Sequence, residues 1–151
     1  MAISTGRKSV LDWLKTLLEG ITVANGYQTN VREVRRGIHD LDDMPNRPAL
    51  CIWNDKGPAE ELVKGAAGVN NRTLHCWIWG YVDVDPGDYD NLDALVADVE
   101  QRINTSDGAW PSNMLNITIM DSTYYEGGVS DAVGIFEMEI ELVYRYDRNN
   151  V

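Results

Sequence analysis

Basic residues are scarce in this chain, and their scarcity limits the partners it can bind. The 151 residues include 13 Lys and Arg against 24 Asp and Glu, so the formal net charge at pH 7 is −11. Tight binding to nucleic acid needs a basic surface that displaces counterions from the phosphates. The composition therefore argues against specific DNA or RNA binding, and it favours a surface past which a polyanion moves without adhering.

Cysteine, histidine and long apolar runs are also rare. Cys51 and Cys76 are too few for a disulfide framework and stand in apolar strand-like runs, so we expect buried free thiols in a reducing compartment. His39 and His75 stand at no ligand spacing from a second histidine or a cysteine pair, so we predict no metal site. No apolar run approaches a membrane span, and Met1–Arg7 has no signal-peptide core, so we expect a soluble protein.

The chain lacks the motifs of common catalytic sites. It has neither a Gly-x-x-x-x-Gly-Lys-Ser/Thr phosphate loop nor a Gly-x-Ser-x-Gly nucleophile elbow. The acidic run Asp83–Glu100 fails as a calcium EF-hand, because Asp88 and Ala94 stand where that loop needs Gly and Glu. We interpret the run as a turn whose carboxylates favour the N-terminal end of a helix. We therefore predict no catalytic residues, no cofactor and no enzyme activity.

Hydrophobic periodicity predicts two helices and about five strands. Apolar residues recur at helical spacing in Val10–Ile21 and Asn91–Ile103. Residues 55–71, with a possible helical turn at Ala59–Lys64, are predicted to form a projecting, mobile arm. The order α-β-β-β-α-β-β predicts one α+β domain over residues 1–151, with both helices on one face of a largely antiparallel mixed sheet. The predicted strands are Tyr27–Val34, Ala49–Trp53, Thr73–Val84, Leu115–Tyr125 and Ala132–Tyr146.

Two predicted strands have sharply different sides. In the closing strand, apolar residues at even positions from Phe136 to Tyr144 alternate with Glu137, Glu139 and Glu141. In the third strand, small aliphatic residues alternate with an aromatic row that includes Trp77, Trp79 and Tyr81. If the helices cover the aliphatic side, the aromatic and acidic rows share the open side of the sheet.

An open aromatic row is typical of a subunit interface, because interfaces are enriched in Trp and Tyr. The alternative is that loops or the arm of the same chain cover these aromatic residues. The glutamate row has the spacing of some hydrolytic carboxylate pairs, but a solvated or channel-facing strand surface explains it more simply. We interpret both rows as a candidate assembly contact or channel lining.

The only basic cluster of the sequence is formed by Arg32, Arg35 and Arg36. Three arginines in a chain of net charge −11 are a weak indication of nucleic-acid binding. Salt bridges to the acidic face of a neighbouring copy or of another partner account for the cluster more simply. We therefore predict that it takes part in a protein contact.

The element order resembles a known family. The segments that carry the resemblance are the leading helix Val10–Ile21, the strands Tyr27–Val34 and Leu74–Asp83, the strand start Arg47–Ile52, the helix Leu92–Glu100 and the closing strand Phe136–Tyr146. Together they are similar to the tail terminator proteins of tailed bacteriophages, also called tail-completion or minor tail protein U-like proteins. The resemblance covers nearly the whole chain and lies in the order and character of the elements.

The resemblance implies a non-enzymatic virion protein at the head-proximal end of the tail, assembled in the host cytoplasm. Such a subunit forms a ring, expected to be a hexamer, that caps the tail tube, stops tube polymerisation and joins the head. The implied partners are other copies of the chain, the tube protein, the head–tail connector or neck protein and the tail sheath. DNA would pass through the channel without specific binding, and no membrane is involved. The alternatives are a connector, neck or tube subunit, and a small α+β enzyme or ligand-binding module.

Overall fold

Two helices pack against one side of a mixed sheet in the computed structural model, which describes residues 6–39, 43–54, 60–64, 69–85, 87–125 and 132–147. The helices are α1 (Gly6–Glu19) and α2 (Asp90–Asn104). Among the described residues, neither helix is long and apolar enough to cross a membrane. The strands are β1 (Glu33–Arg36), β2 (Ala49–Trp53), β3 (Glu60–Lys64), β4 (Val69–Asp83), β5 (Met114–Tyr125) and β6 (Val133–Asp147).

The sheet is organised around the pairing of β4 with β6. Each of these strands has 15 residues, and they pair antiparallel over their whole length, from Val69 opposite Asp147 to Asp83 opposite Val133. The sheet order is β1-β2-β4-β6-β5, with β3 pairing to β4 outside this path. Only β1 and β2 run parallel to each other. The predicted α+β class, with a largely antiparallel mixed sheet, is confirmed.

The main core lies between the helices and the even-numbered side of β4 and β6. The apolar stripes of α1 and α2 lie in one buried cluster with the even-numbered side chains of these strands, so both helices cover the same face, as predicted. Fully buried members of this cluster include Leu11, Leu14, Leu18, Leu92, Leu95, Leu74, Ile78, Phe136, Met138 and Ile140. The identity of the buried side therefore follows from the period-2 pattern of the two long strands.

The prediction of a helical turn at Ala59–Lys64 is wrong where the structure describes it. Glu60–Lys64 forms β3, which pairs antiparallel with Asn70–Leu74 of β4. The residues have no strong strand preference of their own, and the free edge of β4 decides their conformation. Residues 60–64 and 69–71 of the predicted arm thus belong to the sheet, and residues 55–59 and 65–68 lie outside the described residues.

The first predicted strand, Tyr27–Val34, is also misplaced, because β1 begins only at Glu33. The backbone N–H groups of Gln28 and Thr29 donate to the buried carboxylate of Asp98, at 3.1 and 2.8 Å, instead of to a neighbouring strand. Asp98 therefore does not play the role predicted for the acidic run. Its carboxylate holds the loop that precedes β1, and it does not stabilise the N-terminal end of a helix. Asp90 and Asp93, in the first turn of α2, do stand at the position predicted for that role.

Both cysteines are buried free thiols, as predicted. Cys76 lies in the main core, and burial raises the pKa of its thiol to about 12. Cys51 lies on the other side of the sheet, and burial raises the pKa of its thiol too. Neither thiol is ionised at neutral pH, so both are poor nucleophiles in the folded protein.

Gly80 provides a test of this core. A Cβ atom at Gly80 would lie 2.0 Å from Cε1 of Phe136, a fully buried ring on the adjacent strand. The φ angle of Gly80 is not positive, so the conflict is one of space alone. We expect Gly80→Ala to lower the free energy of unfolding by about 2 kcal/mol in urea denaturation, through overpacking. The matched control is Gly108→Ala, where a Cβ meets nothing within 4 Å. Equal unfolding midpoints for the two variants would contradict the packing described.

Candidate assembly surface

The sheet side opposite the helices carries an aromatic row beside an acidic row. In the β4–β6 register, Trp77 stands opposite Glu139 and Trp79 opposite Glu137. The prediction that the two rows share the open side is therefore confirmed. We call this surface the aromatic–acidic strip, and its members are Trp53, Trp77, Trp79, Glu137, Glu139 and Glu141.

Three tryptophans form one cluster at the centre of the strip. The rings of Trp53 and Trp77 stack with centroids 5.0 Å apart, and Trp79 meets Trp53 edge-on at 5.3 Å. The indole N–H of Trp79 donates to Oε2 of Glu137 at 2.9 Å. Each aromatic pair contributes about 1 kcal/mol beyond area burial, and all three side chains remain half-buried. The cluster is thus a rigid apolar patch that is open to a partner.

Trp53 was not predicted as a site residue. Its position at the end of β2, opposite Trp77, brings it into the cluster. The available signal was the alternation in β2, where Leu50 and Ile52 face the core and Trp53 faces the open side. The pairing of β2 with β4 could not be read from that alternation.

Tyr81 does not lie on an open surface, contrary to the prediction. It is only 4% exposed, and it lies in a separate buried cluster with Met44, Ala49 and Cys51. Its hydroxyl donates to the carbonyl oxygen of His39 at 2.9 Å. The loop between β1 and β2 therefore covers this end of the sheet from within the same chain, whereas Trp77 and Trp79 stay half-buried. A partly open hollow of about 240 Å³ remains beside it, lined by Trp79, Tyr81, Ile135, Phe136 and Glu137.

The three predicted arginines do not form one cluster of side chains, because the alternation of β1 separates them. Arg35 lies on the open side and forms an ion pair with Oε1 of Glu33. Arg36 is exposed on the helix side, where the pKa of Asp12 is lowered first by its hydrogen bond from Lys8 and also by the charge of Arg36. Arg32 is exposed and lines a cleft of about 290 Å³. All three nevertheless belong to one edge of the sheet.

The cleft beside Arg32 carries charges of both signs. Its other lining residues include Arg47 and Asp83, and Nε of Arg47 lies 2.8 Å from Oδ1 of Asp83. This ion pair is neutral overall, so Arg32 supplies the uncompensated charge among the described lining residues. Among the described residues, no group of three His, Cys, Asp or Glu side chains is placed to hold a metal ion.

The three carboxylates of the strip and the neighbouring carboxylate of Asp121 repel one another. Asp121 of β5 stands directly opposite Glu139, and Glu137 and Glu141 flank Glu139 along β6. Within the described part of the chain, none of these four carboxylates forms an ion pair. Like charges at directly opposed sheet positions are destabilising. A cationic partner surface would relieve this repulsion.

Two buried polar atoms on the open side of the sheet also lack partners. Neither Nε1 of Trp53 nor Oε2 of Glu33 makes a hydrogen bond to any described residue. An unsatisfied buried polar group costs about 1–3 kcal/mol. The donor, Nε1 of Trp53, belongs to the tryptophan cluster, whereas the acceptor on Glu33 lies on the same side of the sheet at the other end of β2, opposite Ala49. Chemically, this side of the sheet is suited to holding a protein surface that offers cations and hydrogen-bonding groups.

No protein-family model matches the chain, and no curated protein matches it. Its function is therefore inferred from the geometry of the sheet and from the order of its elements.

The opposed carboxylates give a direct test of the strip. Because removal of either charge relieves the repulsion, we expect Glu139→Gln and Asp121→Asn each to raise the free energy of unfolding by about 0.5 kcal/mol. The double variant should gain less stability than the sum of the gains of the two single variants, because either change alone removes the shared repulsion. Urea denaturation at low salt measures all three. Destabilisation by both single changes would mean that a cation within the chain already pairs with these groups.

Proposed function

We propose that this chain is a structural subunit of a tailed-bacteriophage virion, namely a tail terminator. Copies of the chain form a ring on the head-proximal end of the tail tube, stop its polymerisation and present the surface that joins the head-side connector. The observation that carries the proposal is the aromatic–acidic strip on the helix-free side of the sheet. The order of helices and strands, similar to that of the terminator family, supplies the specific identity.

The strip supports an assembly role because its features are unfavourable in an isolated subunit. Three half-buried tryptophans form a rigid patch, and patches of this kind mark protein contacts. The adjacent carboxylates repel one another, and two polar atoms lack partners among the described residues. Each of these costs falls when a protein surface with basic and hydrogen-bonding groups covers the strip.

The charge of the chain supports a role beside DNA without binding to it. The net charge of the chain is −11. Carboxylates that face a channel repel phosphates, so a polyanion passes without being retained. A tube subunit would need the same property. The two functions differ in whether assembly stops at one closed ring.

The proposal is tested by the mass and shape of the assembled protein. We expect native mass spectrometry of the purified chain, at high concentration or mixed with tail tubes, to show a closed ring of about six copies. Negative-stain electron microscopy should show single rings, free or at one end of each tube. Long cylinders made of this chain alone would favour a tube subunit. A stable monomer at every concentration, absent from tube ends, would overturn the proposal.

A further inference from the structure

The strand β5 forms a long edge of the sheet that no described strand covers. Among the described residues, β5 pairs only with β6, so the other side of its 12-residue backbone has no strand beside it. The segment Met114–Tyr125 contains no proline, glycine, lysine or arginine, and Asp121 is its only charged residue. Proteins that remain monomeric protect long edges with prolines, lysines or very short strands. β5 has none of these three devices, and its two bulges are the protective feature that it does carry.

Irregular pairing of β5 with β6 turns apolar side chains of β5 outward. The register with β6 shifts at two points, and the residues left without a partner there are Leu115 and Met120. Leu115 is 38% exposed, Met120 51% and Tyr124 46%. Here both bulges present large apolar groups to the surroundings of the edge.

The opposite edge of the sheet, β1, has complementary properties. Arg32, Arg35 and Arg36 lie in or beside β1, and no described strand pairs with its outer side. Ile38, two residues after β1, is 56% exposed. Of the five large apolar side chains that are exposed in the described residues, three therefore lie on β5 and one lies next to β1. One edge offers apolar groups with an acid, and the other offers an apolar group with three arginines and one acid, Glu33, which already pairs with Arg35.

Strand directions permit the two edges to meet. β5 runs antiparallel to β6, which is antiparallel to β4, and β1 runs parallel to β2, which is antiparallel to β4. β1 and β5 of one copy therefore point in opposite directions. When a second copy is placed beside the first with its strand directions preserved, its β1 meets β5 in an antiparallel pair. Asp121 and Arg35 both lie on the open side, so they fall on the same side of the joined sheet.

We propose that the outer edge of β5 in one copy pairs antiparallel with the outer edge of β1 in the next copy, so that the sheet continues from subunit to subunit. The ladder is short because β1 has four residues. Apolar contacts from Met120 and Ile38, with attraction between Asp121 and Arg35 on the same side of the joined sheet, supply the remaining stabilisation. The inference rests on the proposed ring, and it specifies the contact that builds the ring.

A symmetric β5–β5 pair is the rival arrangement, and its charges disfavour it. Such a pair would bring Asp121 and the neighbouring glutamate row of two acidic copies together without any cation. It would also end at a dimer, because a two-fold contact uses the same edge of both subunits. The β5–β1 contact uses two different edges, and contacts of that kind generate closed rings or open filaments.

Introduced cysteines distinguish the two arrangements, because Cys51 and Cys76 are buried. We expect the double variant Ile38→Cys with Met120→Cys, treated with a short bismaleimide, to give a ladder of covalent oligomers. A mixture of the two single variants should give dimers only, and either single variant alone should give none. The parent chain is the control and should not react.

The outcomes separate this inference from the proposed function. A ladder that closes at about six copies supports both, and an endless ladder in filaments keeps the β5–β1 contact but overturns the terminator. Rings that do not cross-link, or dimers from Met120→Cys alone, overturn the β5–β1 contact only. A parent chain that stays monomeric at every concentration and is absent from tube ends overturns both.

A charge pair at Met120 gives an independent readout that needs no cross-linker. Met120→Lys places a cation on β5 against the arginines of β1, whereas Met120→Glu has a similar size and the opposite charge. We expect the concentration at which half of the protein is assembled to be at least about tenfold higher for Met120→Lys than for Met120→Glu. This corresponds to a difference of about 1.4 kcal/mol in the free energy of association. Gln101→Lys on the exposed surface of α2 is the control for added charge. Equal assembly of the two Met120 variants would overturn the inference.

Discussion

The antiparallel ladder between β4 and β6 is the constraint on which the rest of the structure depends. Its 15 residue pairs fix which side chains face the helices and which face away. A shift of one residue in either strand would move a row of glutamates into the core, or a row of aliphatic side chains onto the surface. Burial of the even-numbered residues therefore determines the register. The same register places the tryptophans opposite the glutamates.

The helices cover only one side of this ladder, and the other side is left partly exposed. Both helices pack on the even-numbered face, and on the odd-numbered face the β1–β2 loop covers only the end that contains Tyr81 and Cys51. The centre of that face keeps half-buried tryptophans, opposed carboxylates and, at Nε1 of Trp53, a polar atom without a partner among the described residues. The edges formed by β5 and β1 also differ in character. These features are unfavourable in a lone subunit and compatible with a subunit that is completed by its neighbours.

Much of this fold can be predicted from the sequence because it depends on local periodicity. The bounds of β2 agree with the prediction, and those of α2 differ by one residue at each end. The sidedness of β4 and β6 was also predictable, since a period of two needs no knowledge of neighbours. β3 was not predictable, because Glu60–Lys64 becomes a strand only against the edge of β4.

Parts of the candidate surface depend on contacts distant in sequence, and these were missed. The burial of Tyr81 results from a loop about forty residues earlier, whose His39 carbonyl accepts its hydroxyl hydrogen bond. Arg35 and Arg36 lie on opposite sides of the sheet because β1 extends to Arg36, two residues beyond the end of the predicted strand. The bulges at Leu115 and Met120 arise from a mismatch between two strands and leave no signature in either strand alone.

The central claim is that this protein assembles through its sheet, by the edges and the open side, and not through its helices. Hydrogen exchange, compared between assembled and dissociated protein, measures this most directly, because it reports the protection of each backbone amide. The account predicts that exchange slows in β5 and in β1 on assembly, while the outer surfaces of α1 and α2 remain unchanged. New protection confined to α1 and α2, with β5 and β1 exchanging as fast as before, would contradict it.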